Sequence, residues 1–250
     1  MDLGISGRVA LVGGATRGIG LAIAQELIAE GVRVVITARD SARTEAVAAE
    51  IGAAAGIGWD SGDLDAAPAL TRRVSAEIGP VDILITNTGG PPSGPDPLGF
   101  PAEAWRTAHR SLVESPMTLL GLLVPGMRER GWGRVVGIAS TSVREPIETL
   151  TLSNAERSAV LAAYKTVARA VAGDGVTVNT LLPGQIATER MSELHGSIEA
   201  AEAAAAQRIP ARRLGRPQEM AAAAAFLCSD RAAYITGAAL AVDGGLLRSI

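Results

Sequence analysis

The chain has 250 residues, 48% of them hydrophobic, and a net charge of −3 with no basic cluster. That is enough for one full α/β core and leaves no electrostatic footprint for nucleic acid. No apolar run can span a bilayer and no signal-peptide pattern opens the chain, so no membrane association and a cytoplasmic location are expected.

The run Arg8 to Val12 reads as a strand, the cluster Gly13-Gly14-Ala15-Thr16-Arg17-Gly18-Ile19-Gly20 as a tight turn, and Leu21 to Ile28 as a helix. This strand-turn-helix context suits a pyrophosphate: glycines at 14, 18 and 20 let the main chain approach it, and the helix start supplies N–H donors. A second strand, Arg33 to Thr37, ends at Ala38-Arg39. A carboxylate at that point would hold the adenosine ribose of NAD and repel a 2′-phosphate; Ala38 does neither. Arg39 and Arg17 could bracket the phosphate as guanidinium forks, which favours NADP(H) over NAD.

Further strands fall at Val81 to Ile85 and Arg134 to Ile138, alternating with helical segments throughout. The pattern predicts one doubly wound, Rossmann-type α/β domain over residues 1–250, a parallel sheet with helices on both faces. Five prolines between Gly89 and Pro101 predict a stiff wall beside the cleft, and Pro116 predicts a kink in a helix from about Ala102 to Arg130. The stretch Ser197 to Gln207 is alanine-rich and helical, offering a small-residue apolar surface to a substrate. The run Ala221 to Ala225 reads as close helix packing against the sheet. Cys228 is the only cysteine and His109 and His195 lie in different elements, so neither a disulfide nor a metal site is expected. Lys165 is the only lysine, so 22 of the 23 basic residues are arginine, a bias that fits the nucleotide composition of a source genome.

The spacing Gly-x3-Gly-x-Gly resembles the short-chain dehydrogenase/reductase family. Asn87-Thr88-Gly89-Gly90 resembles its Asn-Ala-Gly turn. Val176-Thr177-Val178-Asn179 and Pro183-Gly184-Gln185-Ile186-Ala187-Thr188 resemble its nicotinamide-carboxamide segment, and Thr236-Gly237 with Val242-Asp243-Gly244-Gly245 its closing strand. The resemblance implies cofactor contacts from Gly14, Thr16, Arg17, Gly18, Ile19, Gly20, Asn87, Gly89, Pro183, Gly184, Ile186 and Thr188, with Asp60-Ser61 at the adenine. It also implies a substrate lid at about 189–213 and a homodimer or homotetramer built on the 102–130 helix and the helix bearing Ser153.

In the resembled family a Ser and a Tyr thirteen residues later bind the substrate carbonyl, the Tyr donates a proton, a Lys four residues further lowers its pKa, and an Asn completes a water relay. Ser140 fits the Ser. The other three positions hold Ser153, Arg157 and Leu112. Tyr164, eleven residues past Ser153, returns to the same helix face about 16 Å further along, so it reads as a core or interface residue. Arg157 keeps a permanent charge for ribose or phosphate contact and cannot shuttle protons. Three options follow. Another acid serves, with Glu145, Glu148 and His195 as candidates; or the substrate needs none, as with an iminium or activated alkene; or hydride transfer is lost. The expectation is an NADPH-dependent reductase of a small carbonyl, imine or activated alkene, with Ser140, Ser153, Arg157 and Glu145 as its polar groups. The alternatives are a non-redox isomerase or cyclase and a catalytically silent nucleotide-binding protein.

Overall fold

The computed structural model describes residues 2–249; Met1 and Ile250, the ends of the expected domain, lie outside the described residues. The strands β1 (Val9–Gly13), β2 (Arg33–Ala38), β3 (Ala55–Gly58), β4 (Ile83–Thr86), β5 (Gly133–Ile138), β6 (Val176–Pro183) and β7 (Ala239–Val242) form one sheet in the order β3-β2-β1-β4-β5-β6-β7. Every pairing is parallel. This is the expected Rossmann-type α/β sheet, and the strand order reverses between β1 and β4. Carboxyl ends of strands diverge at such a point and leave a crevice.

Side-chain alternation along the strands divides the core. Ala10, Val12, Ile83, Ile85 and Val136 face one layer with α1 (Gly18–Ala29) and α9 (Pro217–Cys228). Val9, Leu11, Leu84 and Val135 face the other, with α3 (Ala67–Glu77), α5 (Ser115–Glu129) and α6 (Thr151–Val171). Strands covered on both faces must be apolar on both, which is why these runs lack polar alternation. Ala221, Ala224 and Ala225 are buried in the first layer, as the alanine run suggests. The second helix, α2 (Ser41–Ile51), starts where Asp40 accepts a hydrogen bond from the Arg43 N–H at 3.0 Å and stops at Gly52, in the left-handed region.

The expected helix over 102–130 is helical without a break from Ala102 to Glu129, but its winding changes partway. Helix α4 (Ala102–His109) passes into a π-helical turn at Arg110–Glu114 before α5 begins. Pro116 has no N–H to donate, and its ring would press on the carbonyl four residues back at Leu112; the wider turn takes up both problems. The irregular turn therefore lies just ahead of the proline. No helix among the described residues is long and apolar enough to cross a membrane.

Candidate active site

A cleft of about 1560 Å³ opens along the carboxyl ends of the strands, from Ala38 and Arg39 past the glycine loop to Ser140, Ser153 and Arg157. At its centre Gly14 and Gly18 have φ of +57° and +58°. A Cβ on Gly20 would lie 2.4 Å from the Gly14 carbonyl oxygen, so only glycine lets α1 start flush against the turn. Asn87 fixes the turn from β4: its Nδ2 donates to the carbonyls of Gly13 and Gly14 at 3.2 and 3.1 Å. Arg17, the residue before α1, supplies no capping side chain. The first N–H groups of the helix therefore face the cleft unpaired, which fits the pyrophosphate of a dinucleotide. Thr16, Ile19, Gly89, Pro183, Gly184, Ile186 and Thr188 line the same cleft.

At the end beyond β2, Arg39 lines the wall together with Arg43 and Trp59. Neither of the last two stands out in the sequence; the one signal for Arg43 is its place in the first turn of a helix capped by Asp40. Ser61 is on the wall, whereas the Asp60 carboxylate turns back to accept from the Gly62 N–H at 2.9 Å. Arg17 pairs with Glu189 of α7 (Glu189–His195), and both side chains are more than half exposed. This ion pair links α7 to the glycine loop.

At the opposite end Ser140 lies two residues beyond β5 and caps a short 3₁₀ turn, its Oγ accepting from the Ser142 N–H at 3.1 Å. Ser153 and Arg157, one turn apart on α6, are both buried. Arg157 donates from Nε to Ser153 Oγ at 3.1 Å and from Nη1 to the Ile138 carbonyl at 2.7 Å. Burial first, and the like charge of Arg190 second, lower the Arg157 pKa to about 10, so the group stays cationic at neutral pH. Tyr164 is buried beneath this site, its hydroxyl 2.6 Å from Thr86 Oγ1. Burial raises its pKa well above the ordinary value. A cavity of about 20 Å³ lies between Tyr164 and Arg157, and Tyr164 does not reach the open cleft, in line with its core assignment.

Glu145 corrects an expectation. It lines the cleft, but its Oε1 accepts from the N–H groups of Arg248 and Ser249, each at 2.8 Å. Those bonds hold its carboxyl below the usual range, making it an ionised anchor for the C-terminal segment and a poor proton donor. Glu148 and His195 line the cleft. The prolines of 91–101 do not; the loop passes behind, tied by the Gly94 N–H to the Thr149 carbonyl at 3.0 Å. The alanine face of α8 (Ile198–Arg208) also departs from expectation. Ala201 and Ala205 turn inward onto Ile209 and Leu214, and Arg190, Met191 and Leu194 of α7 line the cleft.

Comparison with known proteins agrees with this geometry. Residues 14–247 match the family model described as enoyl-(acyl carrier protein) reductase. The chain is 34% identical to the 3-oxoacyl-[acyl-carrier-protein] reductase FabG of Haemophilus influenzae, over 98% of this chain and 100% of that protein. L-sorbose reductase from Gluconobacter frateurii, complexed with NADPH and L-sorbose, superposes with a TM-score of 0.91 at 32% identity, covering 100% of both chains. A 3-oxoacyl (acyl-carrier-protein) reductase from Agrobacterium tumefaciens C58 with NADP bound gives 0.90 at 32% identity, over 98% of this chain and 96% of that one. The chain therefore belongs to the short-chain dehydrogenase/reductase family of oxidoreductases.

Proposed function

We propose that this protein is an NADP(H)-dependent reductase of a small carbonyl, imine or activated alkene, and a divergent family member in which Ser153 and Arg157 stand in for the Tyr–Lys pair. The observation that carries the reading is the Arg157 to Ser153 hydrogen bond. Because Ser153 Oγ accepts from the guanidinium, its own proton is free to be donated into the cleft, and the buried charge behind it strengthens that donation.

Bound NADPH supplies a hydride to the substrate carbon and leaves as NADP⁺. Arg39, with Arg43 beside it, holds the 2′-phosphate, and the start of α1 holds the pyrophosphate. Ser140 and Ser153 donate to the atom that gains the displaced π electron pair, and Arg157 stabilises the charge developing there. The completing proton comes from solvent through the open cleft, since a serine hydroxyl is a poor acid and Glu145 is ionised. Glu148 and His195, both on the cleft wall, are the remaining candidate side chains to deliver it. The assembly proposed is a cytoplasmic homodimer or homotetramer with α4, α5 and α6 at the contact.

The test is fluorescence titration with NADPH and NADH, with Arg39→Ala alongside, followed by a panel of ketones, imines and enones. NADPH preferred over NADH, weakened by Arg39→Ala, and oxidised with at least one substrate is the expected result. Binding with no oxidation across the panel would turn the reading towards a non-redox enzyme. Absence of binding would overturn the cofactor assignment.

A further inference from the structure

Two guanidinium groups at the Ser153 end of the cleft have no carboxylate partner. Arg157 is only 9% exposed, yet neither it nor Arg190 belongs to any ion pair among the described residues. Of the acids lining the cleft, Glu189 is engaged by Arg17 and Glu145 by the backbone of Arg248 and Ser249, and Glu148 and Glu193 pair with neither guanidinium. A buried cation without a counter-ion costs stability unless something else supplies the charge. Arg190 reaches this place by lying flat on the turn after β4, where a Cβ on Gly90 would stand 2.5 Å from its Nη1 and 2.7 Å from its Nη2. Without a Cβ, Gly90 leaves the space that the guanidinium occupies. The two groups lie near enough for the charge on Arg190 to lower the Arg157 pKa, a repulsion that an anion between them would relieve.

Resting on the reductase reading above, we propose that Arg157 and Arg190 form a carboxylate-binding subsite, and that the substrate is an organic acid whose carboxylate lies beside the double bond to be reduced. Adjacency follows from Arg157 being one hydrogen bond from Ser153 Oγ, so charge recognition and the polarising hydroxyl act on neighbouring atoms. The remainder of the substrate is apolar, because Ile147 and Leu194 line the cleft and stand 42% and 48% exposed. For a 2-oxo acid, the hydride of NADPH forms the new C–H bond at C2. The carbonyl π pair passes to oxygen, which takes a proton from water, giving a 2-hydroxy acid and NADP⁺.

The experiment uses oxalate as a non-reacting probe and pyruvate and phenylpyruvate, with their methyl esters, as substrates. Oxalate binding is measured by calorimetry at fixed ionic strength on wild type, Arg190→Ala and Arg190→Lys, with and without NADP⁺. The expected result is a loss of oxalate affinity of about 10- to 100-fold in Arg190→Ala, partly restored in Arg190→Lys. KM for the acids rises by the same factor, kcat and the esters change little, and NADP⁺ affinity stays within about twofold. Equal activity on acids and esters, or unchanged oxalate affinity in Arg190→Ala, overturns the subsite. So does a selective loss of NADP⁺ affinity, which would assign Arg190 to the cofactor. Failure of wild type to bind NADP⁺ would refute the reductase reading, while oxalate titration of the free protein would still decide the subsite.

Discussion

Replacing Arg157 by Met separates a charge kept for a ligand from one kept for the fold. A fall in pKa from the ordinary arginine range above about 12 to about 10 corresponds to about 3 kcal/mol against the charged folded state. Met fills similar volume without charge and removes that cost. It also removes the donors to Ser153 Oγ and the Ile138 carbonyl, each worth about 1 kcal/mol net. The balance is a gain of about 1 kcal/mol, which raises the melting temperature by about 2–4 °C for a chain of this size, while NADPH oxidation falls at least tenfold. The sign with pH follows. The folded pKa lies below the unfolded one, so the cost is full below about pH 10 and is relieved as pH rises from there towards the unfolded value. Wild type should therefore gain on Arg157→Met over that alkaline interval. Differential scanning calorimetry at neutral pH and denaturant melts at alkaline pH measure both effects. A variant melting more than about 10 °C lower would refute the reasoning, because that is the loss expected when a buried charge is parted from a structural partner.

Three other substitutions probe the frame. Gly20→Ala drives a Cβ to 2.4 Å from the Gly14 carbonyl and 2.7 Å from Asn87 Nδ2; NADPH titration should show affinity reduced more than tenfold, with a lower melting temperature. Tyr164→Phe removes the hydroxyl bonded to Thr86 and should cost about 1–2 kcal/mol in a denaturant melt. Its kcat should stay within about twofold, and a loss beyond a hundredfold would make Tyr164 the missing acid. Glu189→Gln frees Arg17 from an exposed ion pair worth at most about 1 kcal/mol; NADPH should bind up to about fivefold tighter, with NADH unchanged.

What could be read from the sequence and what could not divide along a physical line. The glycine loop and the Asn87 turn are legible because their chemistry is local and forced: a positive φ at Gly14 and a 2.4 Å approach at Gly20 admit no other residue. The misplacement of Tyr164 is legible for the same reason, since helical rise alone carries it away from Ser153. Long-range pairings are not legible. Arg17 reads as a phosphate ligand from its place in the glycine loop, whereas its ion pair with Glu189, 172 positions away, is set by the fold alone. Glu145 read as a candidate acid because nothing nearby shows that the C-terminal backbone will claim it. The alanines of α8 look the same in sequence whether they face a substrate or, as they do, Ile209 and Leu214.

The same distinction explains the site. On the reading proposed above, a retained frame with altered polar groups would keep the hydride donor's geometry while changing which charge the substrate must bring. The usual pair places a proton donor over the reducible bond. Here a serine hydroxyl is backed by a guanidinium that holds its charge throughout, and a second guanidinium rests on Gly90 beside it. On that reading such a centre would stabilise negative charge without transferring a proton, and selectivity would move from the acid strength of an enzyme group to the charge of the substrate. Arg157 is thus the residue on which fold, cofactor and substrate readings meet: its burial weakens the fold, its hydrogen bond directs Ser153, and its missing counter-ion is the feature a carboxylate would complete.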